Sequence, residues 1–240
     1  MTATVLLPLR VLEDESVAAG LFEFLSPTHV LVLGYYEVPD QTPPEAARDQ
    51  FDDRAQSKLD DVRAAFEAAG ATADTRMVYT GEAEQTIGRI AAEEAVDAVV
   101  HPGAAMDVDR LLVPLVGQAD VDRVAAFVAE LVGGRDIDVT VFGLDESLTP
   151  DEIESALADA GLSPPQLTTE TGPSGSPVDA IAEAAVDFDA VVMGEPKPTL
   201  SEWVFGELEA RVATEALGPV FVVRAVTEET DEGADTDDGE

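Results

Sequence analysis

The sequence predicts an α/β fold built as two tandem open parallel-sheet domains, the first lacking its last helix and strand. Three observations predict it. Short apolar runs of strand length alternate with amphipathic helical stretches along the 240 residues, the pattern of right-handed βαβ units whose sheet is covered on both faces. The pattern occurs twice: TVLLPL at 4–9 is matched by RLLVPLV at 110–116, with Pro8 and Pro114 in step. AVDAVVHPG at 95–103 is matched in the same way by DFDAVVMGE at 187–195. A period of about half the chain points to two domains rather than a solenoid.

In the first copy, TVLLPL reads as a buried strand because it is short, apolar and rich in aliphatic residues. EDESVAAGLFEFL at 13–25 places Val17, Leu21, Phe22 and Leu25 at helical spacing. HVLVLGYYEV at 29–38 is the second strand. The next helix runs from about Pro44 to Ala69 with Leu59, Val62 and Phe66 on its buried face, and Gly70 stops it. A strand at 73–81, a helix at 83–95 and a strand at 97–101 complete the copy.

The second copy opens at Arg110, although RLLVPLV could instead be the fifth strand of the first half. A helix closed by Gly133 and Gly134 follows, then a strand at 136–144. A helix at 148–161 has Thr149 as N-cap and Pro150 in its first position. QLTTET reads as a weak strand, TGPSGSP at 171–177 as a loop, VDAIAEAAVD as a helix and DAVVMG as a strand. A helix at 201–217 and the strand GPVFVVR at 218–224 close the copy. The domains expected are 1–109, 110–226 and a solvated acidic tail at 227–240.

The formal net charge is −37, from 50 acidic against 13 basic residues, and only Lys58 and Lys197 are lysines. Such a chain repels nucleic acid and anionic membrane surfaces, because phosphate binding needs clustered cations. With 45% hydrophobic residues in periodic order, it is nonetheless a folded chain. High acidity with scarce lysine resembles the cytoplasmic proteins of extreme halophiles; an acidic protein from a low-salt cell is the alternative. The absence of cysteine excludes disulfides and thiol chemistry. No apolar run approaches the ~20 residues that span a bilayer, and the N-terminus lacks a signal-peptide profile. The expectation is a cytoplasmic protein without membrane insertion.

GEAEQTIGRIAAEEAVDAVV at 81–100 and GSPVDAIAEAAVDFDAVVMG at 175–194 resemble the universal stress protein (UspA-like) family. That family has a glycine, an acidic or small pair, then an Ile-containing amphipathic helix running into an Asp-led apolar strand. VLLPL and LLVPL are similar to its opening strand and GPVFVVR to its closing strand, so the resemblance covers most of residues 4–224. It implies an open five-stranded, adenine nucleotide alpha hydrolase-like fold per domain, often dimeric or in tandem.

The resemblance also implies where a nucleotide would sit. In the nucleotide-binding branch the opening strand ends in an Asp that contacts base or ribose. A loop G-x2-G-x9-G-S/T after the fourth strand holds phosphates on backbone N–H groups. Here Arg10 and Val116 stand at the Asp position. After the second DAVV strand, Gly194 and Gly206 are retained, Lys197 replaces the middle glycine, and Glu207 replaces the Ser/Thr. HPGAAMDVDR leaves no room for the loop in the first copy. Neither ATP nor AMP is therefore expected as a cofactor. The candidate contacts for a degenerate nucleotide or anion cleft are Gly194, Lys197, Gly206 and Arg10. Lys197 could instead be a solvated loop cation, and Arg10 could pair with Glu13 or Asp14.

His29 and His101, the two histidines, lack catalytic or metal-ligand spacing and read as structural. Trp203 and Phe205 read as packing residues, and TGPSGSP matches no phosphate loop. The function expected is a non-enzymatic, universal-stress-type regulatory or interaction protein. Two alternatives stay open: a small-molecule sensor using the second-domain cleft, and a soluble regulatory partner of a membrane transporter, since domains of the family are found attached to transporters. The short first sheet would expose an edge. The two halves are therefore expected to pack as an intramolecular pseudo-dimer, with GPVFVVR at the junction or at a homodimer contact.

Overall fold

A computed structural model describes residues 2–13, 15–39, 41–104, 107–116, 120–143, 150–162, 167–171, 177–195, 211–214 and 216–225. The first apolar run forms β1 (Thr4–Leu9), buried from Val5 onward. It pairs in parallel with β2 (His29–Glu37), which pairs in parallel with β3 (Thr72–Thr80); β4 (Ala98–His101) lies on the other side of β1. The helices between these strands are α1 (Ala19–Phe24), α2 (Pro44–Ala69) and α3 (Ala83–Glu93). The second half contains β5 (Arg110–Leu115), α4 (Val121–Val132), β6 (Asp138–Gly143), α5 (Pro150–Asp159), β7 (Leu167–Thr171), α6 (Pro177–Ala185), β8 (Ala190–Gly194) and β9 (Val220–Val223). Residues 211–214 are helical.

Local chemistry sets the boundaries. Proline at the first position of α2 costs no intrahelical hydrogen bond. Gly70 ends that helix at φ 99°, a left-handed conformation that glycine adopts without steric cost. Asp120 caps α4, its carboxylate accepting the Arg123 N–H at 3.2 Å. The helix expected over 13–25 is much shorter. Glu13 N–H donates to the Arg10 carbonyl at 2.9 Å, and the Glu15 carboxylate accepts the Arg10 N–H at 2.6 Å. These bonds fold the acidic segment back on the end of β1, with a single 3-10 turn at Val11–Glu13, and delay helix formation to Ala19. Val17 still packs on the core.

The nine strands form one sheet in the order β3-β2-β1-β4-β9-β8-β5-β6-β7. β5 pairs with β6 and β8, so RLLVPLV opens the second half rather than closing the first. Among the described residues all pairings are parallel except one: β9 runs parallel to β8 but antiparallel to β4, with Ala98 opposite Val223 and His101 opposite Val220. The two halves therefore run in opposite directions. The C-terminal strand ends of the first half open on one edge of the sheet, and those of the second half on the other.

Helices cover both faces. On one face a continuous apolar cluster joins Leu7, Leu59 and Phe66 to Val113, Val128 and Phe221. On the other face two clusters stay separate: Leu6, Ile90 and Val99 with α3 residues, and Leu112, Ile181 and Val222 with α6 residues. Alternation along β9 serves both faces, Phe221 and Val223 facing the shared cluster and Val220 and Val222 the other side. The Phe221 ring meets Phe24 of the first half at 5.6 Å and Phe127 of the second at 6.1 Å.

Candidate functional site

Open α/β sheets bind ligands outside the carboxyl ends of their strands, where the strand order reverses. The first-half edge carries Arg10, directly after β1. Its Nε donates to the Tyr35 hydroxyl at 2.9 Å, its guanidinium lies 5.8 Å from the Tyr35 ring centre, and Nη1 stands 3.7 Å from Glu13 Oε2. Burial pushes the Tyr35 hydroxyl pKa up, and the Arg10 hydrogen bond partly offsets this. Arg10 thus has local partners on its side chain and on its amide. Strand register makes Val116 its counterpart in the second half, half-buried against the second-half cluster.

Gly194 ends β8 on the opposite edge, paired with Val223. Next to it, Glu195 N–H donates to the Val223 carbonyl at 2.7 Å, and the Glu195 carboxylate accepts the Ala225 N–H at 3.0 Å. A carboxylate therefore holds the start of the segment that would cradle phosphates. Lys197, Gly206 and Glu207 lie outside the described residues, as do Thr149, Trp203, Phe205, residues 172–176 and the tail at 227–240. The structure does not bring Arg10 and Gly194 together, because the antiparallel step at β9 sends their strand ends to opposite edges.

Between the edges lies a set of polar residues that the motif reading passed over. Asp97 and Asp189 lead the two DAVV strings. Asp97 Oδ2 accepts the Thr4 N–H at 2.9 Å, and Asp189 Oδ2 accepts the Arg110 N–H at 2.8 Å. Each aspartate fixes the first amide of the opening strand in its own half. Three arginines cross the junction. Arg123 reaches Asp97 Oδ1 at 3.4 Å. Arg135 donates to the Glu23 and Phe24 carbonyls at 3.1 and 3.0 Å and sits over the Phe24 ring at 5.1 Å. Arg224, only 8% exposed, donates to the Ala91 carbonyl at 2.7 Å. Burial lowers the pKa of Arg224, Glu195 raises it, and Arg123 lowers it. The repeated Asp before DAVV was the legible signal; the arginines had none, because their partners are more than two dozen to more than a hundred residues away.

The first-half loop site is occupied by backbone. Ala104 N–H donates to the Leu217 carbonyl at 2.8 Å. A Cβ on Gly103 would lie 2.2 Å from the Gly218 carbonyl carbon, and one on Gly218 would lie 1.8 Å from the Asp189 oxygen. The chain entering β9 thus crosses directly over the residues that follow β4. His29 Nε2 lies 3.0 Å from Asp74 Oδ2, and burial pushes the His101 imidazole below its ordinary pKa. Among the described residues no group of three or more His, Asp or Glu side chains is placed to hold a metal, and no helix is long and apolar enough to cross a membrane.

Similar architectures are found among solved structures. A universal stress protein from Archaeoglobus fulgidus DSM 4304 matches 94% of this chain and 97% of its own, with a TM-score of 0.59 and 17% identity. A putative universal stress protein from Pseudomonas aeruginosa UCBPP-PA14 matches 93% of each chain, with a TM-score of 0.51 and 16% identity. A protein of unknown function from Pseudomonas aeruginosa PAO1 matches 93% of this chain and 92% of its own, at 0.51 and 14%. The chain has the universal stress protein fold. Neither a family model nor a curated protein matches the sequence.

Proposed function

We propose that this is a tandem universal-stress-type protein, with domains at 1–109 and 110–226, that acts in the cytoplasm as a non-enzymatic regulatory or interaction module and does not hold ATP. The observation that carries the reading is the crossing of Gly103 and Gly218. Backbone from the second half lies on the segment after β4, so a phosphate-cradling loop has no room there. Arg10, in place of the aspartate, is held by Tyr35 and Glu13. At the other edge Glu195 opposes phosphate. The test is calorimetric titration of the full chain in molar KCl with ATP and with AMP. No binding heat at millimolar nucleotide is expected; a micromolar Kd overturns the reading.

A second reading, anion sensing at the second-half edge, is favoured by two arginines that meet at Asp97, Arg123 at its carboxylate at 3.4 Å and the Arg224 N–H at its carbonyl at 2.9 Å. On that reading inorganic phosphate binds the full chain in the same buffer and Lys197→Ala weakens it. Equal binding by the variant removes Lys197 from the site.

A further inference from the structure

A cavity of about 260 Å³ opens at the junction, on the α4 side of the sheet, with Ala3, Asp97, Arg123, Ala126, Phe127 and Glu130 among its walls. Its charged groups are arranged around one short stretch of chain. Glu130 Oε1 accepts the Ala3 N–H at 2.7 Å, and Asp97 Oδ2 accepts the Thr4 N–H at 2.9 Å. Arg123 and Glu130 are seven residues apart on α4, about 10 Å along its axis. Both border the same two-residue segment, Arg123 through Asp97 and Glu130 directly.

Arg123 is weakly satisfied. Its fork carries five donors, yet its one side-chain hydrogen bond among the described residues spans 3.4 Å, and its Nε is buried without an acceptor. Asp97 already spends both oxygens, on Thr4 and Arg123. Glu130 spends one oxygen on Ala3. Between the two charged residues, buried Phe127 and exposed Ala126 supply an apolar wall. The volume falls below the ~300–1,000 Å³ of sites for drug-sized ligands, too small for a nucleotide.

We propose that this cavity binds a small zwitterion, an amino acid whose carboxylate sits on the Arg123 guanidinium, whose ammonium sits on Glu130 and whose carbon body lies on Phe127 and Ala126. Carboxylate on guanidinium is the strong, bidentate form of hydrogen bond. Ala3 and Asp97 belong to the first half, and Arg123 and Glu130 to the second. The ligand therefore bridges the halves and stabilises the folded chain by mass action. The proposal does not rest on the nucleotide reading. It shares Arg123 with the anion-sensing reading, and the acid without an amine separates the two: it binds as well as the amino acid if Arg123 merely holds an anion.

The test uses the full chain in molar KCl. The standard amino acids are screened by melting midpoint, and the best is titrated calorimetrically beside the matching amine without a carboxylate and the matching acid without an amine. A saturable rise in midpoint is expected, with a Kd of about 1 mM or tighter and each stripped analogue weaker by about tenfold or more. Arg123→Gln and Glu130→Gln should each weaken binding by a similar factor. Ala126→Leu, which fills the exposed wall, should block binding while leaving the unliganded midpoint nearly unchanged. The proposal is overturned if no amino acid shifts the midpoint at about 50 mM, if the analogues bind as well, or if Ala126→Leu binds as tightly as the parent.

Discussion

At Gly218 the structure leaves no space for a side chain, since a Cβ would lie 1.8 Å from the Asp189 oxygen and 2.6 Å from its carbonyl carbon. Backbone cannot yield as a flexible side chain can, so Gly218→Ala and Gly103→Ala should each cost about 3 kcal/mol. Gly134→Ala, where nothing lies within 4 Å, should stay within about 0.5 kcal/mol. Denaturant midpoints in molar KCl measure all three. In the sequence Gly218 reads as the first residue of the closing strand and Gly103 as part of the segment after the fourth; their mutual contact spans more than a hundred residues, and no local pattern encodes it. The aspartates were more legible, because Asp97 and Asp189 precede identical strings and do identical work. His101 gives a pH prediction. Burial holds its folded pKa below 6.5, so the unfolded chain binds more protons as pH falls through that value. Stability from this residue is present above 6.5 and declines below it. The fall in melting midpoint between pH 7.5 and pH 5.5 should be shallower in His101→Gln; an identical slope would refute the assignment.

Among the elements, β9 is the one on which both halves depend. Phe221 is fully buried, with an aromatic neighbour from each half, so Phe221→Ala should cost about 3–5 kcal/mol. A chain ending at Gly218 bares the edges of β4 and β8 at once and should lose soluble, folded protein. A chain ending at Val226 keeps β9 and should remain soluble with unchanged circular dichroism. A well-folded product ending at Gly218 would contradict the role given to this strand. Strand positions were readable because apolar runs such as TVLLPL and RLLVPL have few other uses. α2 was readable because Pro44 stands near its start and Gly70 marks its end. α1 was misjudged because its apolar spacing begins before its helix: Glu15 binds the Arg10 amide instead of joining a first turn.

For the whole molecule, a net charge of −37 is held against a junction fastened by arginines. At molar salt the Debye length is about 3 Å, and at 0.1 M about 10 Å. Lowering KCl over that range lets carboxylates repel one another across the surface, while the desolvated contacts of Arg135 and Arg224 change less. The melting midpoint should fall as KCl is lowered; a midpoint independent of KCl would show that the acidity has no bearing on stability. The repeat in the sequence revealed two similar halves with their strands in order. It pointed to GPVFVVR at the junction or at a homodimer contact, and left open the direction of pairing, which is antiparallel between β4 and β9. The candidate nucleotide cleft was legible only as a departure from a motif, and two of its residues belong to strand ends that face away from each other.

Synthesis runs in one direction, and the order of strands in the sheet does not follow it. β4 is complete at His101, but its outer neighbour begins at Val220, about 120 residues later. At ~5–20 residues per second a ribosome needs roughly 6–24 s to make that stretch. Throughout this interval the β4 edge of the first half lacks the strand that covers it in the folded chain. The first half cannot mature as a finished unit ahead of the second, and the nascent chain is most exposed to wrong partners while the strand that will complete it has still to be made.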